Sequence, residues 1–271
     1  MNLLHTEMRR ALHRRVVRVL VLLALIGCVL AGIGVFLDAA GQTVIEMRAN
    51  PDTHAAIASD WAANGDDGDN VLLITAFFLF LGGLFAGASV TGAEWRFGTV
   101  TTVLTWEPRR VRLLGARLAS GAILAFVIAI ALQAIFLASL LPAVLTHGST
   151  DRIDGAWWGH LLTTGIRVAL VTAVAAVLGM ALANLGRNTA FALVVAFAWV
   201  AVVENLVRGL TPWEPYLLME NLITVLTWDQ LDDADFIRSA PTALLTLIAY
   251  LAALLGATFA VFNRRDVAGS S

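Results

Sequence analysis

The stretch that decides the fold reads EWRFGTVTTVLTWEPRRVRLLGAR and runs from Glu94 to Arg117. It is a long basic segment between two apolar runs, and it carries five arginines and two glutamates. A Gly-Thr pair that starts at Gly98 and a Glu-Pro pair that starts at Glu107 predict turns at the two ends of a short helix. We therefore expect residues 94–117 to form a single folded loop.

The chain around this loop has the composition of a membrane protein. It is 59% hydrophobic and 14% charged, whereas soluble domains carry about 25% charged residues. Several apolar runs exceed the roughly 20 residues with which a helix crosses hydrocarbon. The sequence predicts an all-α polytopic membrane protein in which residues 1–271 form a single transmembrane domain. The six predicted transmembrane helices are 16–37, 71–90, 118–141, 158–183, 189–206 and 240–262.

Two shorter helices are predicted beside the spans. In residues 1–15 the apolar side chains recur at helical spacing, and Glu7 falls with the arginines on the other face. This pattern is typical of a helix in the membrane interface, and the alternative is a basic flank that only sets orientation. Between the fifth and sixth spans, the apolar residues from Leu217 to Leu226 predict a short helix at the outer interface or a re-entrant one.

The arginines predict the orientation of the chain. All 18 basic residues are arginine. If the N-terminus is cytoplasmic, 13 arginines lie in segments on that side, four lie on the opposite side and Arg167 lies within the membrane. Because basic residues concentrate in cytoplasmic segments, we expect both termini and the 94–117 loop in the cytoplasm of a multi-pass cell-membrane protein.

The residue types exclude some kinds of chemistry. A Walker A loop needs a lysine that reaches the phosphates of ATP, and this chain has no lysine. It therefore has no conventional ATPase site. Gly-x-Ser-x-Gly and His-Glu-x-x-His are also absent from the sequence, which argues against an intramembrane enzyme. We expect no catalytic, cofactor-binding or metal-binding residue in the chain, and no nucleic-acid partner.

Arg167 is a charged residue inside the predicted fourth span. It lies about 13 Å into the helix at about 1.5 Å per residue, where a charge is costly and indicates a functional role. Glu204, near the outer end of the fifth span, is the expected partner in an ion pair close to a translocation path. The alternative is that Arg167 reaches the interface and pairs there for structural reasons.

The physical pattern of the loop leaves two interpretations open. Thr99 can cap a short helix whose apolar side carries Val100 and Leu104. Pro108 ends that helix, and the following arginines are expected to face the lipid headgroups: Arg109, Arg110, Arg112 and Arg117. An exposed helix between two rigid spans is a good docking element for a second protein. The alternative is a basic cytoplasmic loop without a partner.

A family resemblance favours the docking element. The motif EWRFGTV at 94–100, followed by Leu104, PRR at 108–110 and Arg117, resembles the permease subunits of type-2 ABC exporters. The family usually has a lysine at the position of Arg117. Three further motifs resemble the same family at matching places along the chain. They are LLHTEMRR at 3–10, LGRNTA at 185–190 and FNRRDV at 262–267.

The resemblance implies a permease that exports a hydrophobic or amphiphilic substrate. Two such subunits would pair, as a homodimer or a heterodimer, and would bind separate ABC ATP-binding subunits, which hold ATP and Mg²⁺. The 94–117 loop would contain a coupling helix whose docking surface is 99–107, and Glu94 and Arg117 would brace the neighbouring helices. The residues expected to couple to the ATPase are Glu94, Gly98, Thr99, Val100, Leu104, Glu107, Pro108 and Arg110.

The competing function is a secondary transporter driven by an ion gradient. Such a protein is expected to have several buried titratable groups and interrupted helices near the middle of the membrane. The sequence offers one intramembrane arginine and no clear repeat between its two halves.

Overall fold

A computed structural model describes the chain in six ranges: 3–50, 52–62, 71–106, 109–208, 213–228 and 238–264. Within these ranges the regular structure is helical, and the β-type pairing is a single isolated bridge between Ile57 and Ser149. The helices in these ranges are α1 (Leu3–Leu12), α2 (Arg15–Ala39), α3 (Val44–Ala49), α4 (Val71–Arg96), α5 (Thr99–Trp106), α6 (Arg110–Thr146), α7 (Gly155–Gly186), α8 (Thr189–Ala198), α9 (Asn205–Val207), α10 (Leu218–Thr227) and α11 (Ala240–Arg264).

Six helical segments of the described chain are long and apolar enough to cross a membrane. They are α2, α4, α6, α7, the segment Thr189–Val207 and α11. Each contains one of the six spans predicted from the sequence, so the prediction of an all-α polytopic membrane protein with six apolar helices is confirmed.

The helix that contains the third predicted span is much longer than that span. Its helix, α6, begins at Arg110 and continues through Pro142 to Thr146. At about 1.5 Å per residue its 37 residues extend about 55 Å, well beyond the ~30 Å of a bilayer core. Both ends of the predicted 94–117 loop are helical, because α4 continues to Arg96 and α6 begins at Arg110. Helix α6 can begin at Arg110 because there is no proline between Arg110 and Leu118, and the one glycine there, Gly115, costs only about 1 kcal/mol.

Helices α4 and α7 form the centre of the bundle. In the most apolar stretch of α7, 72% of the residues are buried, against 6% in α2 and in α11. The two helices approach closely at glycines. A Cβ at Gly87 would overlap the carbonyl oxygen of Ala176, and a Cβ at Gly179 would overlap that of Leu84. Small residues at this seam let the two backbones come into direct contact.

The other helices surround this central pair. Helix α6 packs between α2 and α7, and α1 lies across α6. Helix α11 packs on α7 and α10, and α8 contacts α4 and α7. This arrangement brings the ends of α4 and α6 together beside α1 and α5, at what we term the basic end of the bundle.

The opposite end carries a small cap, which consists of residues 43–50, 52–62 and 147–157. It contains α3 and two short 3₁₀ segments, His54–Ala56 and Ala58–Trp61. The indole of Trp157, at the start of α7, donates a hydrogen bond to the Ala58 carbonyl at 3.0 Å. The Trp61 indole donates to the Ala55 carbonyl at 2.9 Å. These bonds satisfy both buried indoles, as an apolar cluster requires.

The fifth spanning segment changes its helical type part-way. Residues Trp199–Glu204 form a π-helix between α8 and α9. The chain then returns through α10, whose Leu222 packs in one apolar cluster with Phe80 and Val171. These contacts make α10 a helix packed against the bundle. Such π-helical turns occur frequently at functional sites.

Candidate functional site

The basic end carries α5, which lies between two long helices. α4 ends at Arg96, and Gly98 takes a φ of +64°. This left-handed conformation is easy for glycine and costly for other residues. The Thr99 hydroxyl, at the start of α5, donates to the Glu94 carbonyl at 3.3 Å. The glycine therefore turns the chain so that α5 starts directly under the end of α4.

The apolar side of α5 is anchored in the bundle. Val100 is buried in one cluster with Leu114, Met180 and Phe262, and Leu104 packs against the same cluster. Thr102 and Thr105 are exposed on the other side. The helix thus has one fixed face and one free polar face. Two predicted coupling residues, Glu107 and Pro108, lie outside the described residues.

Below α5 lies a group of charged side chains, which we call the charge cluster. Its members are Glu7, Arg10, Arg14, Glu94 and Arg117. The Glu94 carboxylate is its centre, with one oxygen 2.5 Å from Arg14 and the other 2.8 Å from Arg117. Arg10 lies 3.6 Å from Glu94, and Glu7 lies 3.7 Å from both Arg10 and Arg117.

The charge cluster joins three parts of the chain. Glu7 and Arg10 belong to α1, Glu94 belongs to α4 and Arg117 belongs to α6. Arg14, between α1 and α2, also donates to the Val90 carbonyl at 2.7 Å. Burial lowers the pKa of the Arg14 guanidinium from its ordinary value, and Glu94 opposes this change. The cluster therefore fixes α1 against the ends of α4 and α6.

The position of Arg117 corrects an expectation. Its side chain was expected to face the lipid headgroups with the other loop arginines, but Arg117 is 7% exposed. Arg110 also turns inward, and its Nη1 donates to the Phe262 and Asn263 carbonyls at 3.4 Å each. The start of α6 is thus tied to α4 by Arg117 and to the end of α11 by Arg110.

Glu7 is a member of the charge cluster that the sequence interpretation misplaced. It was assigned to the polar face of residues 1–15, yet it is 8% exposed and faces α6. The sequence does contain a pattern that indicates the burial of Glu7. This residue lies on one helical stripe with Leu4 and Ala11, at spacings of three and four residues. Arg117 likewise shares the buried stripe of Leu113 on α6. A charge on an apolar stripe indicates a buried partner.

Arg167 and Glu204 do not pair with each other. Among the described residues, no ion pair joins them, so the hypothesis of an Arg167–Glu204 pair is wrong. The Arg167 guanidinium lies over the Trp228 ring, 5.2 Å from its centre, and Nη1 is 3.5 Å from the Leu226 carbonyl. Both contacts are at the end of α10, which sequence reasoning did not connect with the fourth span.

Glu204 instead anchors the start of α10. It is 1% exposed, and its carboxylate accepts hydrogen bonds from the backbone N–H groups of Leu218 and Met219 at 2.9 and 3.0 Å. The Trp199 indole donates a third bond at 3.0 Å. A carboxylate at a helix N-terminus satisfies free N–H groups and interacts favourably with the helix dipole. The π-helical turn places Glu204 where it reaches them.

The arrangement at the basic end suits binding and the transmission of movement. Within the described residues, no group of histidine, cysteine, aspartate and glutamate side chains could hold a metal ion. Comparison with protein-family models and with curated proteins finds no match for this chain. The likeness to type-2 ABC permeases rests on the sequence motifs within 3–10, 94–117, 185–190 and 262–267.

Proposed function

We propose that this chain is the transmembrane permease subunit of an ATP-driven exporter of the type-2 ABC class, which moves a hydrophobic or amphiphilic substrate. The energy would come from a separate ATP-binding subunit that holds ATP and Mg²⁺, because this chain has no lysine for a Walker A loop. A second permease subunit, identical or different, would complete the assembly.

One observation carries the proposal: a short helix with a free polar face is fixed to two spanning helices at the basic end. Gly98 and Val100 hold α5 to the bundle, and the Glu94–Arg117 ion pair at 2.8 Å holds α4 to α6. A force on α5 would therefore reach both helices. This is the mechanical property that a coupling helix needs.

The orientation of the chain is part of the proposal. The basic end carries α1, α5 and the start of α6, whose arginines belong to the set of 13 assigned to the cytoplasm. By the positive-inside rule this end would face the cytoplasm of the cell membrane, with both termini there. α1 would then lie in the inner interface, and α10 would enter the membrane re-entrantly from the outer side.

In the proposed mechanism the ATP-binding subunit contacts the Thr102 and Thr105 face of α5. Its movement on binding ATP displaces α5, and Val100 transmits the displacement to Leu114 on α6. The charge cluster keeps α1, α4 and α6 moving as one unit. The two permease subunits then rock against each other and open a path between them.

The test begins with the complex from native membranes. The tagged chain is purified in mild detergent, and its partners are identified by mass spectrometry. The proposal expects a partner that carries a Walker A motif, and a reconstituted complex whose transport depends on ATP. A complex without any ATP-binding protein, or with transport that is indifferent to ATP, would reject the proposal.

Two substitutions then test α5 itself. Thr102→Arg changes the free face, and we expect it to lower ATP-driven transport about tenfold while the chain stays folded. Gly98→Pro is expected to uncouple ATP hydrolysis from transport, because proline cannot adopt a φ of +64°. The matched control is Ile45→Arg, which introduces the same charge at a position in the cap where the side chain is 82% exposed. Unchanged transport in Thr102→Arg would remove α5 as the docking element.

The environment of Glu204 favours a second candidate function, which is transport driven by an ion gradient. Glu204 is a buried carboxylate in an interrupted helix, as such transporters use. Its hydrogen bonds to Leu218 and Met219 give it a structural role instead. Proteoliposomes that contain this chain alone discriminate the two functions: uptake on an imposed proton gradient without ATP would favour the second.

A further inference from the structure

A cavity opens directly beside the charge cluster. It lies between α1, α2, α4, α6 and α7, and its volume is about 70 Å³. One end is lined by the five charged side chains. The remainder is lined mainly by small and apolar residues, among them Gly87, Gly121, Leu124, Ala125 and Ile128. The cavity is therefore polar at one end and apolar at the other.

The charges at the polar end do not balance. Arg10, Arg14 and Arg117 carry three positive charges, and Glu7 and Glu94 carry two negative charges. Each oxygen of Glu94 is already engaged by a guanidinium, at 2.5 and 2.8 Å. One positive charge thus remains without a matching carboxylate in the cluster. An excess charge that is partly buried is stabilised when an anion or water approaches it.

Arg117 is the guanidinium with unused donors. Its side chain is 8% exposed and lines the cavity. Nη1 pairs with Glu94, whereas Nε and Nη2 have no hydrogen-bond partner. Glu7 lies 3.7 Å from Nε, which is beyond hydrogen-bond distance. A planar guanidinium with two free N–H groups is well suited to bind a phosphate or carboxylate group.

The dimensions fit a head group with a chain attached. One water needs about 10–15 Å³ of such a volume, so the cavity holds roughly five waters. This is room for a phosphate or carboxylate group and the first carbons of a chain. From Arg117 to Ile128 its lining follows α6 for about 16 Å at about 1.5 Å per residue. Arg10 and Arg14 are 31% and 21% exposed, so the charged end reaches the surface.

We propose that this cavity binds a membrane amphiphile with a single anionic head group, a phosphate or a carboxylate. The head group accepts hydrogen bonds from Arg117 and neutralises the excess charge of the cluster, and the chain lies along Leu124 and Ile128. This site does not depend on the proposed exporter function, since binding by the isolated chain is measurable without any ATP-binding subunit.

The experiment uses the full chain, freed of lipid in the uncharged detergent dodecyl maltoside. Dodecyl phosphate provides head group and chain together, and inorganic phosphate provides the anion alone. Binding is measured by isothermal titration calorimetry and by the shift in unfolding temperature. Unfolding is monitored by tryptophan fluorescence. We expect dodecyl phosphate to bind and to raise the unfolding temperature, and inorganic phosphate to bind at least tenfold more weakly.

Substitutions locate the binding. Arg117→Gln is expected to weaken dodecyl phosphate binding tenfold or more, because a charge-assisted hydrogen bond is lost. Arg117→Lys keeps the charge and is expected to lose less. Ala125→Leu fills the apolar part, leaves all five charged residues in place, and is expected to abolish binding of dodecyl phosphate. Arg112→Gln, at an exposed position of the same helix, is the control and is expected to bind normally.

Three outcomes would overturn the proposal. Absence of binding by both compounds would show that water fills the cavity. Equal binding of dodecyl phosphate by the wild-type chain, Arg117→Gln and Ala125→Leu would place the compound elsewhere, in the micelle or on the surface. Binding of inorganic phosphate as tightly as dodecyl phosphate would make this a site for a free anion and would reject the amphiphile. If Arg117→Gln does not fold, the binding of dodecyl phosphate by Arg117→Lys and Ala125→Leu still tests the proposal.

Discussion

Glu94 and Glu204 are both buried carboxylates in spanning helices, and they are held in opposite ways. Glu94, 4% exposed, is surrounded by guanidinium groups from α6 and from the N-terminal segment. Glu204, 1% exposed, accepts its hydrogen bonds from uncharged N–H groups, two of them at the start of α10. Both join elements that are distant in sequence, but one does so with full charges and the other with partial charges.

The difference follows from access to water. The charge cluster reaches the surface through Arg10, which is 31% exposed, so part of its charge stays hydrated. Glu204 is enclosed, where a second full charge would have to be desolvated at considerable cost. Backbone N–H groups and an indole supply hydrogen bonds without that cost. Full ion pairs therefore hold the end of the bundle, and hydrogen bonds to a helix N-terminus hold its enclosed part.

The largest effect is expected for Glu94→Gln. It leaves three arginines facing one another with Glu7 as their remaining partner in the cluster. Removing one side of a buried ion pair costs about 3–5 kcal/mol, so we expect a loss of that size in the free energy of unfolding, measured in mixed detergent micelles. A loss below about 1 kcal/mol would mean that the cluster is hydrated and contributes no more than a surface ion pair.

A smaller loss is expected for Glu204→Gln. Leu218 and Met219 donate to different oxygens of the carboxylate, so the single amide oxygen of glutamine keeps the bond from only one of them. The charge that interacts with the helix dipole is also gone. Hydrogen bonds to a charged group contribute about 1.5–3 kcal/mol, which sets the upper limit of the loss. Hydrogen exchange should increase selectively in α10. Uniform exchange throughout the bundle would show that Glu204 does not act by anchoring this helix.

Glu220→Gln provides a reference for the losses measured in Glu94→Gln and Glu204→Gln. Glu220 pairs with Arg208 at 2.9 Å, but the two side chains are 32% and 50% exposed. Exposed ion pairs contribute about 0–1 kcal/mol, and we expect the unfolding free energy to fall by no more than that. If this substitution costs as much as Glu94→Gln, burial is not what distinguishes the charge cluster.

The smallest effect is a local response to acid at Glu46 in the cap. Hydrogen bonds from the backbone and side chain of Thr43 lower the pKa of this carboxyl below its ordinary 4.5. Because the folded pKa is lowered, the stabilisation is present above the unfolded pKa and is lost as the pH falls through the folded pKa. Below about pH 4.5 we expect the protection factors of α3 amides to decrease. Glu46→Gln should remove this dependence, and an unchanged pH response in that variant would assign it to another group.

The sequence predicted the elements better than their contacts. Apolar length alone located all six spanning segments, since each run must satisfy its backbone as a helix in hydrocarbon. The turn at Gly98 and the short helix after Thr99 also followed from local chemistry, because glycine and a capping threonine act within a few residues. The helices extend beyond the predicted spans, as at Arg110 in α6, because a helix can continue past the apolar run that predicts it.

The partners of the charges could not be predicted in the same way. Arg167 and Glu204 were paired because both were charges expected within the membrane, whereas α10 comes between them and provides partners for each. Arg117 was assigned to the headgroups because it follows other arginines in the loop. Its burial depends on the rotation of α6 about its axis, which is set by packing against α4 and α7.

The sequence by itself determined that this chain is a helical membrane protein with six apolar segments and a short helix between the second and third. These properties depend on hydrophobic length and on turns, which are local. Only the tertiary structure decided that Glu7, Glu94 and Arg117 meet in one cluster beside a cavity, although more than 100 positions separate the first from the last. Ion pairing depends on distances of a few ångströms, and helix packing sets those distances.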